Sequence, residues 1–163
     1  MILWGITGWK NSGKTTLTAR LVAEMGRRGL RVSTLKHTHH GIDLDRPGKD
    51  TFRHREAGAV EVVLASSARM AILREHREGE PPLAEVLARL APVDLVLIEG
   101  YKASAHPKIE VRRAAAPGPP LADGDPSVRA IAADGPVESA LPVFALDDAR
   151  GIADFILAET GLA

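Results

Sequence analysis

One stretch constrains this chain more than any other: Gly8-Trp9-Lys10-Asn11-Ser12-Gly13-Lys14-Thr15, which fits the pattern Gly-x-x-x-x-Gly-Lys-Thr. It stands between a nearly continuous apolar run, Ile2 to Thr7, and a segment from Lys14 to Arg28 in which Leu17, Leu21 and Met25 recur among charged neighbours. The first reads as a central strand covered on both faces, the second as an amphipathic helix stopped by Gly29. Strand, glycine-rich loop and helix in that order make a cradle for phosphate. The glycines let backbone N–H groups converge on oxygen atoms, and the helix N-terminus adds the positive end of its dipole. Lys14 then neutralises the β and γ phosphates of a nucleoside triphosphate, and the Thr15 hydroxyl joins a magnesium shell. Gly8, Lys10, Asn11, Ser12, Gly13, Lys14, Thr15 and Thr16 are therefore the candidate nucleotide-binding residues, with Lys10 at the loop crown facing phosphate, a partner or solvent. A chance glycine turn needs neither a buried strand before it nor an amphipathic helix after it.

With 163 residues, 45% of them hydrophobic, the chain suits one sizeable core, so residues 1–163 are read as a single domain. Lys plus Arg equals Asp plus Glu at 21 each, which gives no global field to recruit nucleic acid or an anionic membrane. Anion binding has to be local. The absence of cysteine excludes a disulfide framework, a thiolate zinc site and a cysteine nucleophile together. The N-terminus has no basic stretch ahead of its apolar run and leads straight into the glycine loop, so it reads as a strand and not as a signal peptide. No apolar run approaches the roughly 20 residues of a membrane span, and a cytoplasmic setting is the expectation.

Beyond the first helix, Arg31 to His37 reads as a second strand, followed by a polar, histidine-rich loop from Thr38 to Gly48. Lys49 to Ala57 predicts a brief helix with Asp50 as its N-cap. Val60 to Ala65 and Arg69 to Arg74 form an expected antiparallel hairpin within the sheet, which makes that sheet mixed. A helix from Leu83 to Leu90, a buried strand from Val93 to Ile98 and another strand from Lys108 to Arg112 follow. Residues 114–127, rich in Pro, Gly and Ala, read as a surface linker. Val128 to Ala132, Pro142 to Leu146 and a helix from Asp147 to Thr160 close the chain. The alternation of strands and helices predicts an α/β fold, a three-layer P-loop sandwich with a mostly parallel, mixed sheet.

Two acids compete for the metal. Asp94 begins the strand Asp94-Leu95-Val96-Leu97-Ile98-Glu99-Gly100, whereas Glu99 leaves it at the C-terminal end, where open α/β sheets place ligands. Glu99 is the choice, against the alternative of an acid that merely caps a strand. The stretch from Lys36 to Asp45, with His37, His39 and His40, admits three readings: a transition-metal site, a solvated loop, or a loop facing the γ-phosphate or substrate. In the last, Asp43 or Asp45 reaches magnesium and Lys36, His37 or His40 faces phosphate. Lys49, Arg53 and Arg55 on the short helix make either an anion or partner site or an ordinary solvated face. Tyr101, Lys102 and Lys108 extend that basic rim. Asp134 lies where P-loop GTPases place a base-reading acid, or is a turn aspartate before Gly135-Pro136; the tetrad Asn-Lys-x-Asp is absent.

Taken together, GWKNSGKTTL (Gly8 to Leu17), KHTHHGIDLDRPGKDTFRHREAG (Lys36 to Gly58), LVLIEGYK and PKIEV resemble the molybdopterin-guanine dinucleotide biosynthesis protein B family, MobB, over residues 1 to about 113. The resemblance implies a GTP-binding protein with weak GTPase activity, usually a homodimer. It would assist the nucleotidyltransferase that attaches GMP to molybdopterin, the organic part of the molybdenum cofactor. By similarity, Gly13, Lys14, Thr15 and Thr16 bind phosphate, and Thr15 and Glu99 surround Mg2+. The arrangement is also similar, more distantly, to dethiobiotin synthetase, which implies an alternative: a stand-alone ATP-dependent small-molecule kinase or ligase, with Asp43 or Asp45 as second acidic ligand. Trp9, not lysine, follows the first glycine, so the trans-acting lysine of the deviant Walker families is not carried over. No residue stands out as a water-orienting group or an acceptor-activating base, which favours the accessory role.

Overall fold

The computed structural model describes residues 1–38, 41 and 44–162. It divides into two compact units, residues 1–37 with 90–163, and residues 38–89.

The larger unit is built on a six-stranded sheet. Its strands are β1 (Ile2–Thr7), β2 (Val32–Lys36), β5 (Leu95–Glu99), β6 (Lys108–Arg112), β7 (Val128–Ala133) and β8 (Val143–Ala145), in the spatial order β2-β5-β1-β6-β7-β8. Every neighbouring pair runs parallel. Strands β1 and β5 are buried nearly end to end, which is why both read as continuous apolar runs. Helices α1 (Lys14–Arg27) and α4 (Ala149–Thr160) pack against each other over one face. There Leu17, Leu21 and Met25 of α1 and Ile152, Ala153 and Ile156 of α4 meet Trp4, Ile6, Leu95, Leu97, Ile109 and Val111. Phe155 closes this core, edge-on to Trp4 at 6.0 Å between ring centroids.

Chain ends of the helices follow local chemistry. Gly29 at φ 84° turns the backbone out of α1, and the Leu30 N–H returns to the Met25 carbonyl. Asp148 caps α4 by accepting from the Gly151 N–H at 2.9 Å, so that helix starts two residues later than the sequence reading placed it.

The smaller unit holds α2 (Asp50–Glu56), β3 (Glu61–Ala65), β4 (Met70–Arg74) and α3 (Leu83–Leu87). Two expectations are corrected here. The β3–β4 hairpin is antiparallel as expected, with Val62 opposite Leu73, but it forms a two-stranded sheet of its own, and the main sheet is left wholly parallel. Asp50 is the first helical residue of α2, where its charge faces the helix N-terminus, and Lys49 occupies the cap position without a side-chain bond. No helix among the described residues is long and apolar enough to cross a membrane.

Candidate nucleotide site

The parallel sheet sets all its C-terminal strand ends along one edge, and the loops after β1, β5, β6 and β7 leave from it. The loop after β1 holds Gly8 at φ 144°, Asn11 at φ 64° and Gly13 at φ 101°. Gly8 has no room for a side chain, since a Cβ there would stand 2.5 Å from the Val111 carbonyl oxygen and 2.8 Å from Ser12 Oγ. Ser12 is buried with no partner on its hydroxyl, so it packs inside the loop beneath the phosphate cradle. Lys14 folds back over the crown and donates to the carbonyls of Gly8 at 3.0 Å and Trp9 at 2.6 Å. A recess of about 330 Å³ is lined by Asn11, Gly13, Lys14, Thr15, Thr16 and Arg113.

Electrostatics at this edge suit an anion. Burial, then the charges of Lys102 and Lys36, lower the Lys14 pKa from the ordinary lysine value, against the opposing pull of Glu99. A phosphate entering among three ammonium groups would relieve that mutual repulsion. Lys10 and Trp9 are exposed at the crown. Trp9 is nevertheless fixed: its indole N–H donates to the Pro119 carbonyl at 2.8 Å, and the Lys102 ammonium stands 4.7 Å from its ring centroid.

Glu99 and Thr15 come together as the strand-end argument requires, the Thr15 hydroxyl donating to Glu99 Oε2 at 3.1 Å. Lys36 closes the group, with its ammonium 3.7 Å from Glu99 and 3.4 Å from the Thr15 hydroxyl. A hydroxyl and a carboxylate side by side are hard oxygen donors, the set that Mg2+ takes while keeping several of its waters. The residues therefore fit a magnesium ion. Asp94, at the opposite end of β5, is structural: its carboxylate accepts the Arg31 N–H at 2.7 Å and faces the Arg31 guanidinium at 3.5 Å. That backbone hydrogen bond, the largest influence, brings the Asp94 pKa below the usual carboxylate range.

Gly100 explains why a glycine follows Glu99. Its φ is 98°, and a Cβ would lie 2.8 Å from the His37 Cβ. His37, whose N–H donates to the Glu99 carbonyl at 2.8 Å, places its ring 4.3 Å from that of Tyr101. Tyr101 thus packs on the loop after β2.

Other expected residues lie elsewhere. Asp43, His39 and His40 fall outside the described residues. Asp45 and Arg55 belong to the smaller unit, where Asp45 accepts from the Thr51 hydroxyl at 2.9 Å and the Arg46 N–H at 3.0 Å. Arg55 lies between Asp45 at 3.5 Å and Glu75 at 2.7 Å, so its charge serves this unit's own packing. Arg53 is exposed on α2. Among the described residues, no group of three or more His, Asp or Glu converges as a metal cluster.

Lys108 is corrected outright. It is fully buried, not part of a rim: its ammonium donates to the Ser104 carbonyl and the Ser127 hydroxyl and faces Asp125 at 3.3 Å. Glu110, two residues on, is also buried and accepts the N–H groups of Leu121 and Ala122 at 3.0 Å each. These bonds tie residues 114–127 to the sheet.

Asp134 follows β7 at the ligand edge and lines a wider open cavity of about 560 Å³ together with Arg20, Arg113, Leu146 and Asp147. Sequence reasoning missed Arg113, which lines both this cavity and the phosphate recess. Its signal was positional, an arginine just past a strand end on the side where Glu99 also emerges.

Comparison with known proteins agrees with this geometry. The family model for molybdopterin guanine dinucleotide synthesis protein B matches residues 3–134. A molybdopterin-guanine dinucleotide biosynthesis adapter protein of Haemophilus influenzae is 40% identical over 157 residues, covering 94% of this chain and 86% of the relative. Its namesake in Escherichia coli is 35% identical over 159 residues, covering 95% and 91%. Among solved structures, a MobB homologue from Bacillus stearothermophilus superposes with a TM-score of 0.74 at 31% identity, over 100% of both chains.

Proposed function

Since the chain belongs to the molybdopterin guanine dinucleotide synthesis protein B family, we propose that it is an adapter protein of molybdopterin guanine dinucleotide biosynthesis that binds GTP and Mg2+ in the cytoplasm. In this reading it hydrolyses GTP slowly and assists the nucleotidyltransferase that joins GMP to molybdopterin, acting as a homodimer. One observation carries the nucleotide half of the proposal: the loop from Gly8 to Thr16 opens on a recess that also meets the Thr15–Glu99 pair.

Each residue then has a task. Backbone N–H groups of the loop and of the first turn of α1 receive phosphate oxygens, and Lys14 leaves the carbonyls of Gly8 and Trp9 to neutralise the β and γ phosphates. Thr15 and Glu99 would hold magnesium, which draws charge off the β and γ oxygens when bound. Lys36 adds a cation on the γ side. The sugar and base extend toward the wider cavity of Arg20, Asp134 and Leu146. Among these side chains no carboxylate or imidazole is poised to activate an acceptor hydroxyl, which supports slow turnover over a stand-alone kinase or ligase.

The test is calorimetry with GTP, ATP and GMP in the presence of Mg2+, on the wild type and on Lys14→Ala. Tighter binding of GTP than ATP, lost in a folded Lys14→Ala protein, is the expected result. Unchanged affinity in that variant would refute the phosphate assignment. Tighter ATP binding, with fast turnover on a small acceptor, would favour the kinase or ligase. Light scattering that reports a monomer with nucleotide present would remove the homodimer.

A further inference from the structure

Arg113 is where the phosphate recess and the wider cavity meet, and its surroundings are built to aim it. It follows β6, which flanks β1 on the side opposite β5. The Thr15, Glu99 and Lys36 group lies on the β5 side, so a triphosphate with its β and γ oxygens there must run its α-phosphate and sugar toward β6. There the guanidinium carbon of Arg113 stands 3.8 Å, and a terminal nitrogen 3.9 Å, from where a Cβ on Gly13 would be. The glycine leaves the arginine lying directly against the loop.

Asp134 holds the other end of that fork. Its Oδ2 lies 3.6 Å from Arg113 Nε, while its Oδ1 accepts the N–H of the next residue, Ala114, at 2.8 Å. Both oxygens thus serve one two-residue step, and the backbone of that step is fixed again by the Ala116 N–H, which donates to the Arg113 carbonyl at 2.9 Å. The adjacent Arg112 is engaged differently: Glu110 takes its guanidinium at 2.8 Å. Of the two arginines, only Arg113 lines the recess.

We propose that Arg113 is the α-phosphate ligand of this site and that Asp134 is its positioning residue rather than a reader of the base. The inference rests on the nucleotide reading above and adds a residue to it. A planar fork suits this place because it can give two N–H donors to one phosphate while its Nε stays with Asp134.

The experiment is calorimetry of guanosine, GMP, GDP, GTP and XTP against the wild type, Arg113→Ala, Arg113→Lys and Asp134→Asn, each first shown by circular dichroism to be folded. A lost charge-assisted phosphate contact corresponds to roughly ten- to a hundredfold in affinity. Arg113→Ala should weaken GMP, GDP and GTP alike by that factor and leave guanosine unchanged, with Arg113→Lys recovering only part. Asp134→Asn should weaken the three nucleotides equally, by less, and leave the ratio of GTP to XTP affinity as it is. If the wild type binds GTP but Arg113→Ala holds GMP within twofold, this assignment fails and the nucleotide reading stands. A loss confined to GTP would move Arg113 to the γ-phosphate and overturn the α assignment. A shifted GTP to XTP ratio in Asp134→Asn would make Asp134 a base reader and overturn its positioning role. A wild type that binds no nucleotide would sink the nucleotide reading and this inference with it.

Discussion

Lys108 is the least expected side chain of the protein, and its replacement tests whether the buried polar layer is structural. Its ammonium is removed from solvent and held by the Ser104 carbonyl, the Ser127 hydroxyl and the Asp125 carboxylate. Breaking a buried pair by removing one partner costs about 3–5 kcal/mol. The lower end applies, because Asp125 is 30% exposed on its side chain and water can reach it once the lysine is gone. Lys108→Met, which keeps the chain length, should therefore cost about 3 kcal/mol, a fall of roughly 6–12 °C in Tm for a chain of this size. The pH dependence carries a second signature. Burial alone would raise the Asp125 pKa, but the hydrogen bonds from Ser127 and the Lys108 charge hold it below the usual value. A carboxylate with a depressed folded pKa contributes stability above its unfolded pKa of about 3.9, and loses it as pH falls through the folded value. The gap between wild type and variant, measured by urea melts, should thus be widest at neutral pH and narrow below about pH 4. A variant within 0.5 kcal/mol of wild type at pH 7 would refute the reasoning, as would a gap that stays constant through the acid limb.

The acid beside the metal gives a paired test: Glu99→Gln should weaken magnesium-dependent GTP binding while Asp94→Asn lowers stability and leaves binding alone, and calorimetry with parallel melts shows if the ranking is reversed. Gly100→Ala should cost about 2–3 kcal/mol, since it adds a side chain at φ 98° and against His37, and a change under 1 kcal/mol in a urea melt would contradict the backbone argument. In the smaller unit, Arg55→Ala should destabilise by about 1–3 kcal/mol because it releases Asp45 and Glu75, whereas exposed Arg53→Ala should stay within about 0.5 kcal/mol; equal effects in thermal melts would contradict the contrast.

How much of this was legible in the sequence depends on how local the cause is. The phosphate loop and the Glu99-Gly100 step were readable because glycine spacing, strand end and helix start are local signals. The hairpin of β3 and β4 was readable as a pair, since Val62 faces Leu73 and the turn between them is short. Which sheet it joins was not, because that depends on edges far away in the chain. Asp50 was misplaced by one position for a related reason: an acid at a helix start is favoured both as cap and in the first turn, and the sequence does not separate the two.

Lys108 and Arg113 failed for opposite reasons, and the difference shows what pattern reading lacks. Lys-Ile-Glu-Val alternates as a half-exposed strand does, with Ile109 and Val111 turned into the core beside Trp4 and Ile6. The inference that the polar face meets water assumes that nothing else covers it. Here the loop from Ser104 supplies a carbonyl, Asp125 and Ser127 supply acceptors, and Leu121 and Ala122 supply N–H donors to Glu110. Every polar end that alternation points outward meets a loop that neutralises it, so the period of two was right and the solvent was wrong. For Arg113 the missing step was a second use of a rule already applied. A parallel sheet delivers whatever follows each strand to the same edge, so the argument that selected Glu99 after β5 selects Arg113 after β6 and Asp134 after β7 equally well. Taken strand by strand, it reaches an acid for the metal, a cation for phosphate and an acid to aim that cation, in the order in which the sheet sets them around β1.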